Sequence, residues 1–189
     1  MVELIIKHAI LDWNHLIVPK AKNPGDEPKY QATFMFPKNT PETQEFIKRY
    51  KKVFDEVSIE KYGKVLTFAG DKVLLRDGEI MAQSCTTDKR DYLSEYFILT
   101  SRNKDKPLCV NAKKELVVSE AESPFYRGCI VNAIVDIYAF TEKKTNTPGI
   151  YASLKNVMFY KDGQRIAGSG ATAKLSDFDA FEEAEEDLI

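Results

Sequence analysis

GCIVNAIVDIYAF (128–140), TEKKTNTPG (141–149) and IYASLKNVMFY (150–160) form the most informative run of the chain. In the first segment Val131, Ala133, Val135, Ile137 and Ala139 fall on one face of an extended chain, and that face is wholly apolar. The other face carries Ile130, Asn132, Ile134, Asp136, Tyr138 and Phe140. Alternation of this length is the period of a strand with one face in a core. The third segment alternates Tyr151, Ser153, Lys155, Val157 and Phe159 with Ile150, Ala152, Leu154, Asn156 and Met158. The turn-rich stretch between them joins the two as a β-hairpin.

Working outward, KYQATFMF (29–36) alternates in the same way, with Tyr30, Ala32, Phe34 and Phe36 on one face. VELIIKHAIL reads as a first strand, and the polar KAKNPGDEP (20–28) joins it to the second as a hairpin with a basic loop. Thr40 before Pro41 supplies an N-cap and a proline at the first helical position. Phe46, Ile47, Tyr50, Val53, Phe54 and Val57 then recur at helical spacing, which predicts a helix over roughly 41–60 with its apolar stripe in the core. Residues 61–92 are the least periodic and predict a long connection, with a turn at Asp77-Gly78. YFILTSRN starts as a strand and runs into a loop rich in cations. One convincing helix among several strands suits a small, mainly β, antiparallel barrel better than a parallel sheet.

At 189 residues the chain is expected to form one domain plus a tail. No apolar run approaches a membrane span, and no signal-peptide pattern opens the sequence, so a cytoplasmic protein is expected. Cys85, Cys109 and Cys129 are too far apart for a zinc knuckle and read as small buried hydrophobes. With histidine confined to His8 and His15, no metal or other cofactor is expected.

Charge is distributed unevenly. The chain has 27 Lys and Arg against 29 Asp and Glu, but Asp177, Asp179, Glu182, Glu183, Glu185, Glu186 and Asp187 crowd its end. The body therefore keeps 22 acids and a formal charge of +5. A cationic body points to a polyanionic ligand, and the acidic end to an interaction role or to a solubilising tail. Phe178, Phe181, Leu188 and Ile189 lie among those acids as apolar anchors.

GSGATA (168–173) has the skeleton of a dinucleotide loop, but it follows a hairpin and precedes acids, so it reads as a flexible linker. No phosphate-binding loop, nucleophile elbow or zinc-protease motif is present. Asp12, Asp91 and Asp136 are the carboxylates on which a metal-dependent nuclease would be built, although no spacing singles them out. A protein adaptor working through its acidic end alone is a third reading. The more distinctive signal is aromatic residues interleaved with cations. Trp13 and Tyr160 belong to it, together with Lys20, Lys22, Lys29, Tyr30, Arg76, Tyr96, Arg102, Lys104, Lys106, Arg127, Tyr138, Tyr151 and Lys155. Single-stranded nucleic acid needs rings for its bases and cations for its phosphates, so this interleaving points to such a ligand. The competing reading is that many of these rings are core.

PFYRGCIVNAIVDIYAF (124–140), PGIYASLKNVMFYKDGQRIAG (148–168) and the terminal DFDAF (177–181) resemble the bacteriophage single-stranded-DNA-binding proteins with an OB-fold and an acidic C-terminal tail. KAKNPGDEPKYQATFMFPK (20–38), LLRDGE (74–79) and YFILTSRNKDKP (96–107) fit the same pattern in the same order, so the resemblance spans nearly the whole chain. It implies an OB-fold domain over 1–170, a flexible acidic tail over 171–189, and no enzymatic activity. It further implies sequence-independent coating of single strands in phage replication, recombination and repair, inside the infected bacterium. The tail would compete with DNA and contact replication proteins such as a polymerase or helicase. Weak duplex binding stays open.

Overall fold

The computed structural model describes residues 1–68, 73–84, 90–143 and 145–166. The tail, the GSGATA stretch and Cys85 lie outside the described residues.

Seven strands form one sheet: β1 (Val2–Lys20), β2 (Lys29–Pro37), β3 (Leu75–Asp77), β4 (Tyr96–Asn103), β5 (Leu108–Val110), β6 (Ile130–Glu142) and β7 (Thr147–Lys161). Their order is β3-β4-β2-β1-β6-β7-β5. The two ends meet, because β5 continues the path of β4 after residues 104–107 and pairs in parallel with β7. The Asn103 amide donates to the Leu154 carbonyl at 2.9 Å across this seam. The result is an OB-fold barrel whose five strands, counted along the chain, are β1, β2, β4 with β5, β6 and β7.

The first strand is longer than the hydrophobic pattern of VELIIKHAIL suggests, because its apolar phase changes twice. Leu4 and Ile6 are buried, then Ala9 and Leu11, then Leu16. The pairing with β6 shifts between Ile6 and Ala9, where His8 adopts φ 53°, and the pairing with β2 shifts between Leu11 and Asn14. Such bulges bend and twist a strand, letting one strand serve both halves of a barrel. A further shift, between Ile134 and Val135, explains why β7 shows no single apolar face: Leu154 and Val157 are both buried although they fall on opposite phases.

Helix α1 (Pro41–Tyr62) packs on the barrel as its stripe predicts. Thr40 caps it by accepting from the Thr43 amide at 3.3 Å, and Gly63 ends it in the left-handed region at φ 69°. Its Phe46 ring stacks on Phe36 of β2 with centroids 4.1 Å apart. Within the connection after α1 the chain forms β3, the short helix α2 (Gly78–Ser84) and a 3-10 turn (Asp91–Glu95). Gly78 is required there, since a Cβ would lie 1.8 Å from the Leu93 carbonyl oxygen. Cys109 and Cys129 are buried, as expected of small hydrophobes, and burial pushes both thiols up to about 11.

Replacing the fully buried Leu154 with alanine removes packing at the seam and should cost about 2–5 kcal/mol. Leu108, 52% exposed, should tolerate the same change within about 0.5 kcal/mol. Thermal melts of the two variants check the contrast.

Candidate nucleic-acid interface

On the β2–β4 ladder, Gln31 faces Arg102, Thr33 faces Thr100 and Met35 faces Ile98. The alternate residues Ala32, Phe34 and Leu99 are buried inside the barrel, so the first set lies on its outer side, where Leu93 covers Met35 and Ile98 and leaves Gln31, Arg102, Thr33 and Thr100 along the floor. Arg102 Nε donates to Gln31 Oε1 at 2.7 Å, and the Thr33 and Thr100 hydroxyls lie 3.2 Å apart. The ladder thus presents a polar floor with a cation at one end.

Two hollows of about 820 and 830 Å³ lie on this floor and share Lys29, Arg76, Thr100 and Arg102, forming one trough. Toward the 21–28 loop it is lined by Trp13, His15, Lys20, Lys22 and Arg90, with the acids Asp12, Asp26 and Glu27. Toward the β6–β7 turn it is lined by Phe68, Lys104, Tyr138, Phe140, Glu142 and Tyr151. Cations outnumber acids along both parts. Tyr138 and Tyr151 face each other across β6 and β7 with centroids 5.8 Å apart, and Tyr151 and Phe140 are 42% and 46% exposed. In an OB-fold the outer face of the second and third barrel strands, with the loops joining strands 1–2 and 4–5, is the surface that takes oligonucleotides. Here those are β2 and β4, the 21–28 loop and the β6–β7 turn.

Nine of the fifteen sequence candidates line the trough: Trp13, Lys20, Lys22, Lys29, Arg76, Arg102, Lys104, Tyr138 and Tyr151. Lys104 meets Glu27 at 2.5 Å, but both side chains are more than half exposed, so the pair contributes roughly 0–1 kcal/mol and a phosphate can replace it. The other six lie elsewhere, Tyr160 among them, its ring 4.5 Å from that of His8. Tyr30 shares the inward phase of Ala32 and is partly buried at the rim. Tyr96 packs against a small cluster of Met35, Leu93 and Ile98. Lys106 donates to the Val118 carbonyl at 3.3 Å. Lys155 pairs with Glu3 and, at 3.8 Å, with Asp136, and the hydrogen bond to Glu3 is the main reason its pKa is raised.

Arg127 is held by a buried network. Its Nε donates to Asp12 Oδ1 at 2.7 Å and an Nη to the Tyr92 hydroxyl at 3.0 Å, while that hydroxyl donates to Asp12 Oδ2 at 3.0 Å. Burial opposes the Arg127 charge, yet Asp12 and Tyr92 more than compensate and its pKa is raised. Burial and then the Asp12 charge push the Tyr92 phenol up to about 12. Among the described residues no three His, Cys, Asp or Glu side chains gather as metal ligands; Asp12 pairs with Arg127 and Asp136 lies near Lys155.

His15 and Phe140 are trough residues outside the fifteen. Phe140 was legible as the next outward residue after Tyr138, whereas His15 required knowing that β1 continues past Leu11.

The family model described as Enterobacter phage Enc34, ssDNA-binding protein, matches residues 2–189. The chain belongs to that family. It is a phage single-stranded-DNA-binding protein, which places it among binding proteins and not enzymes. A relative from Acyrthosiphon pisum secondary endosymbiont phage 1, named protein p50, is 31% identical over 166 residues, covering 85% of this chain and 84% of its own. The structure of the bacteriophage Enc34 protein in complex with ssDNA superposes with a TM-score of 0.73 at 20% identity, covering 87% of this chain and 89% of that one. The gp2.5 single-stranded-DNA-binding protein of bacteriophage T7 gives 0.55 at 12% identity, covering 92% and 99%. At these identities the two structures speak for the fold. Among the described residues no helix is long and apolar enough to cross a membrane.

Burial, and next Lys20, hold the His15 imidazole below its usual pKa, with Glu120 opposing. Its contribution to stability is therefore complete above the unfolded value of about 6.5 and is lost as pH falls below it, because the unfolded chain takes the proton first. Melting temperature between pH 7.5 and 5.5 should fall more steeply for the native chain than for His15→Gln.

Proposed function

We propose that this protein coats exposed single strands without sequence preference during phage DNA replication, recombination and repair, in the cytoplasm of the infected bacterium. The observation that carries this reading is the continuous trough, with cations for phosphates along its length and exposed rings at both ends. The Enc34 relative solved with ssDNA supports it. Lys20, Lys22, Lys29, Arg76, Arg102 and Lys104 would meet the backbone, and Tyr138 and Tyr151 the bases. With about 4–6 phosphates neutralised, the log-log salt slope would be about −3 to −4.

The acidic end, from Asp177 to Ile189, acts as a tethered competitor for the trough and, once displaced by DNA, recruits replication proteins. Its point of departure supports this reading. The Ile166 amide donates to the Arg127 carbonyl at 3.1 Å, and Ile166 packs on the cluster that includes the trough residues Leu93 and Ile98. A short tether from that point gives an effective concentration of about millimolar.

Changing Arg102, Lys104 and Lys106 together to alanine should weaken oligo-dT binding and leave the melting temperature nearly unchanged; unaltered affinity would remove this loop from the interface. Deleting residues 176–189 should tighten binding and steepen its salt dependence, as measured by fluorescence anisotropy at two salt concentrations. Unchanged binding would reject the competitor role.

A further inference from the structure

Resting on the single-strand-binding reading, we propose that Trp13 is a base-stacking platform of the trough. Arg127 is its positioning residue, held against the indole by Asp12 and Tyr92 instead of meeting a phosphate itself. Trp13 sits in the second bulge of β1, between the buried Leu11 and Asp12 and the next paired residue, Asn14. The bulge turns its indole outward into the trough, where it is 43% exposed.

The Arg127 guanidinium lies over the indole with its carbon 4.4 Å from the ring centroid, and the Arg90 guanidinium is at 5.8 Å. Two bonded edges hold the guanidinium in place over the ring: one on Asp12, 2% exposed, and one on the Tyr92 hydroxyl. The backbone on either side is fixed as well. The Gly128 amide donates to the Leu11 carbonyl at 2.7 Å, and the Leu11 amide to the Cys129 carbonyl at 2.9 Å. Gly128 sits at φ 106°, where a Cβ would lie 1.9 Å from the Gln164 carbonyl oxygen.

The pairing with Asp12 also cancels most of the charge that Arg127 could offer a phosphate. A guanidinium paired with a buried carboxylate and lying over a ring orients that ring, and an arginine serving as a phosphate ligand would face the solvent. Lysine could replace the charge but not the planar stack.

Trp13 is the chain's single tryptophan, so intrinsic emission reports on it alone. The test titrates the full chain with oligo-dT across a salt series, following both emission and anisotropy. Binding should quench the emission, and Trp13→Ala should weaken binding about 5- to 150-fold, the range for one stacked base. Arg127→Lys should lose both affinity and quenching despite keeping its charge. The double change Asp12→Asn with Arg127→Gln leaves no buried charge unpaired; it should weaken binding with an unchanged salt slope. If that variant does not fold, Tyr92→Phe, which frees one edge of the Arg127 guanidinium and keeps its charge, should lose affinity and quenching together, and native behaviour there would overturn the positioning role.

Binding without quenching, or full affinity in Trp13→Ala, would overturn the platform. Native behaviour of Arg127→Lys, or a salt slope about 0.7 shallower in the double variant, would overturn the positioning role, since the latter is the signature of a lost phosphate contact. A native chain that ignores oligo-dT at every salt concentration would instead overturn the single-strand reading itself.

Discussion

One strand has to pair with two neighbours while bending around a single core. β1 runs against β2 on one edge and β6 on the other, and a regular strand of its length could not keep its apolar side chains inward through the curvature. The two bulges resolve this by resetting the phase of burial, so that Leu4, Ile6, Ala9, Leu11 and Leu16 all reach the core. Everything at the site follows from where those resets fall. The second brings Asp12 inward and Trp13 outward in consecutive positions, joining the core to the trough.

The buried Asp12 is the electrostatic counterpart of that constraint. A carboxylate this deeply enclosed is tolerable only when paired and hydrogen-bonded, and it gathers Arg127 from the segment before β6 and Tyr92 from the 3-10 turn. Three pieces of chain distant in sequence are thus fixed around one edge of the trough. Removing one partner would leave a buried charge, so this edge is expected to be rigid. The 21–28 loop and the Lys104–Glu27 pair are exposed and can adapt to a ligand.

Much of this was legible in the sequence. The alternation in 128–140, the Thr40–Pro41 start of α1 and the outward Tyr138 and Tyr151 needed only periodicity and capping rules. The single apolar face of β6 survived intact because the β6–β7 register shift moves the phase of β7 alone. What the pattern hid were the bulges. Each breaks the two-residue period locally, so β1 read as ending near Leu11 and β7 showed no consistent inward face. Arg127 illustrates a second limit. A cation next to aromatics reads the same whether it faces solvent or a buried carboxylate, and only the fold brought Asp12 within 2.7 Å of it.

The single strand is proposed to lie on the outer face of β2 and β4. Amide chemical-shift mapping on addition of oligo-dT tests it directly. The largest changes should cluster at Gln31, Thr33, Thr100 and Arg102, extending to Trp13 at one end and Tyr151 at the other. Changes concentrated on the outer face around Glu3, Asp136 and Lys155, with the β2–β4 amides unmoved, would contradict it.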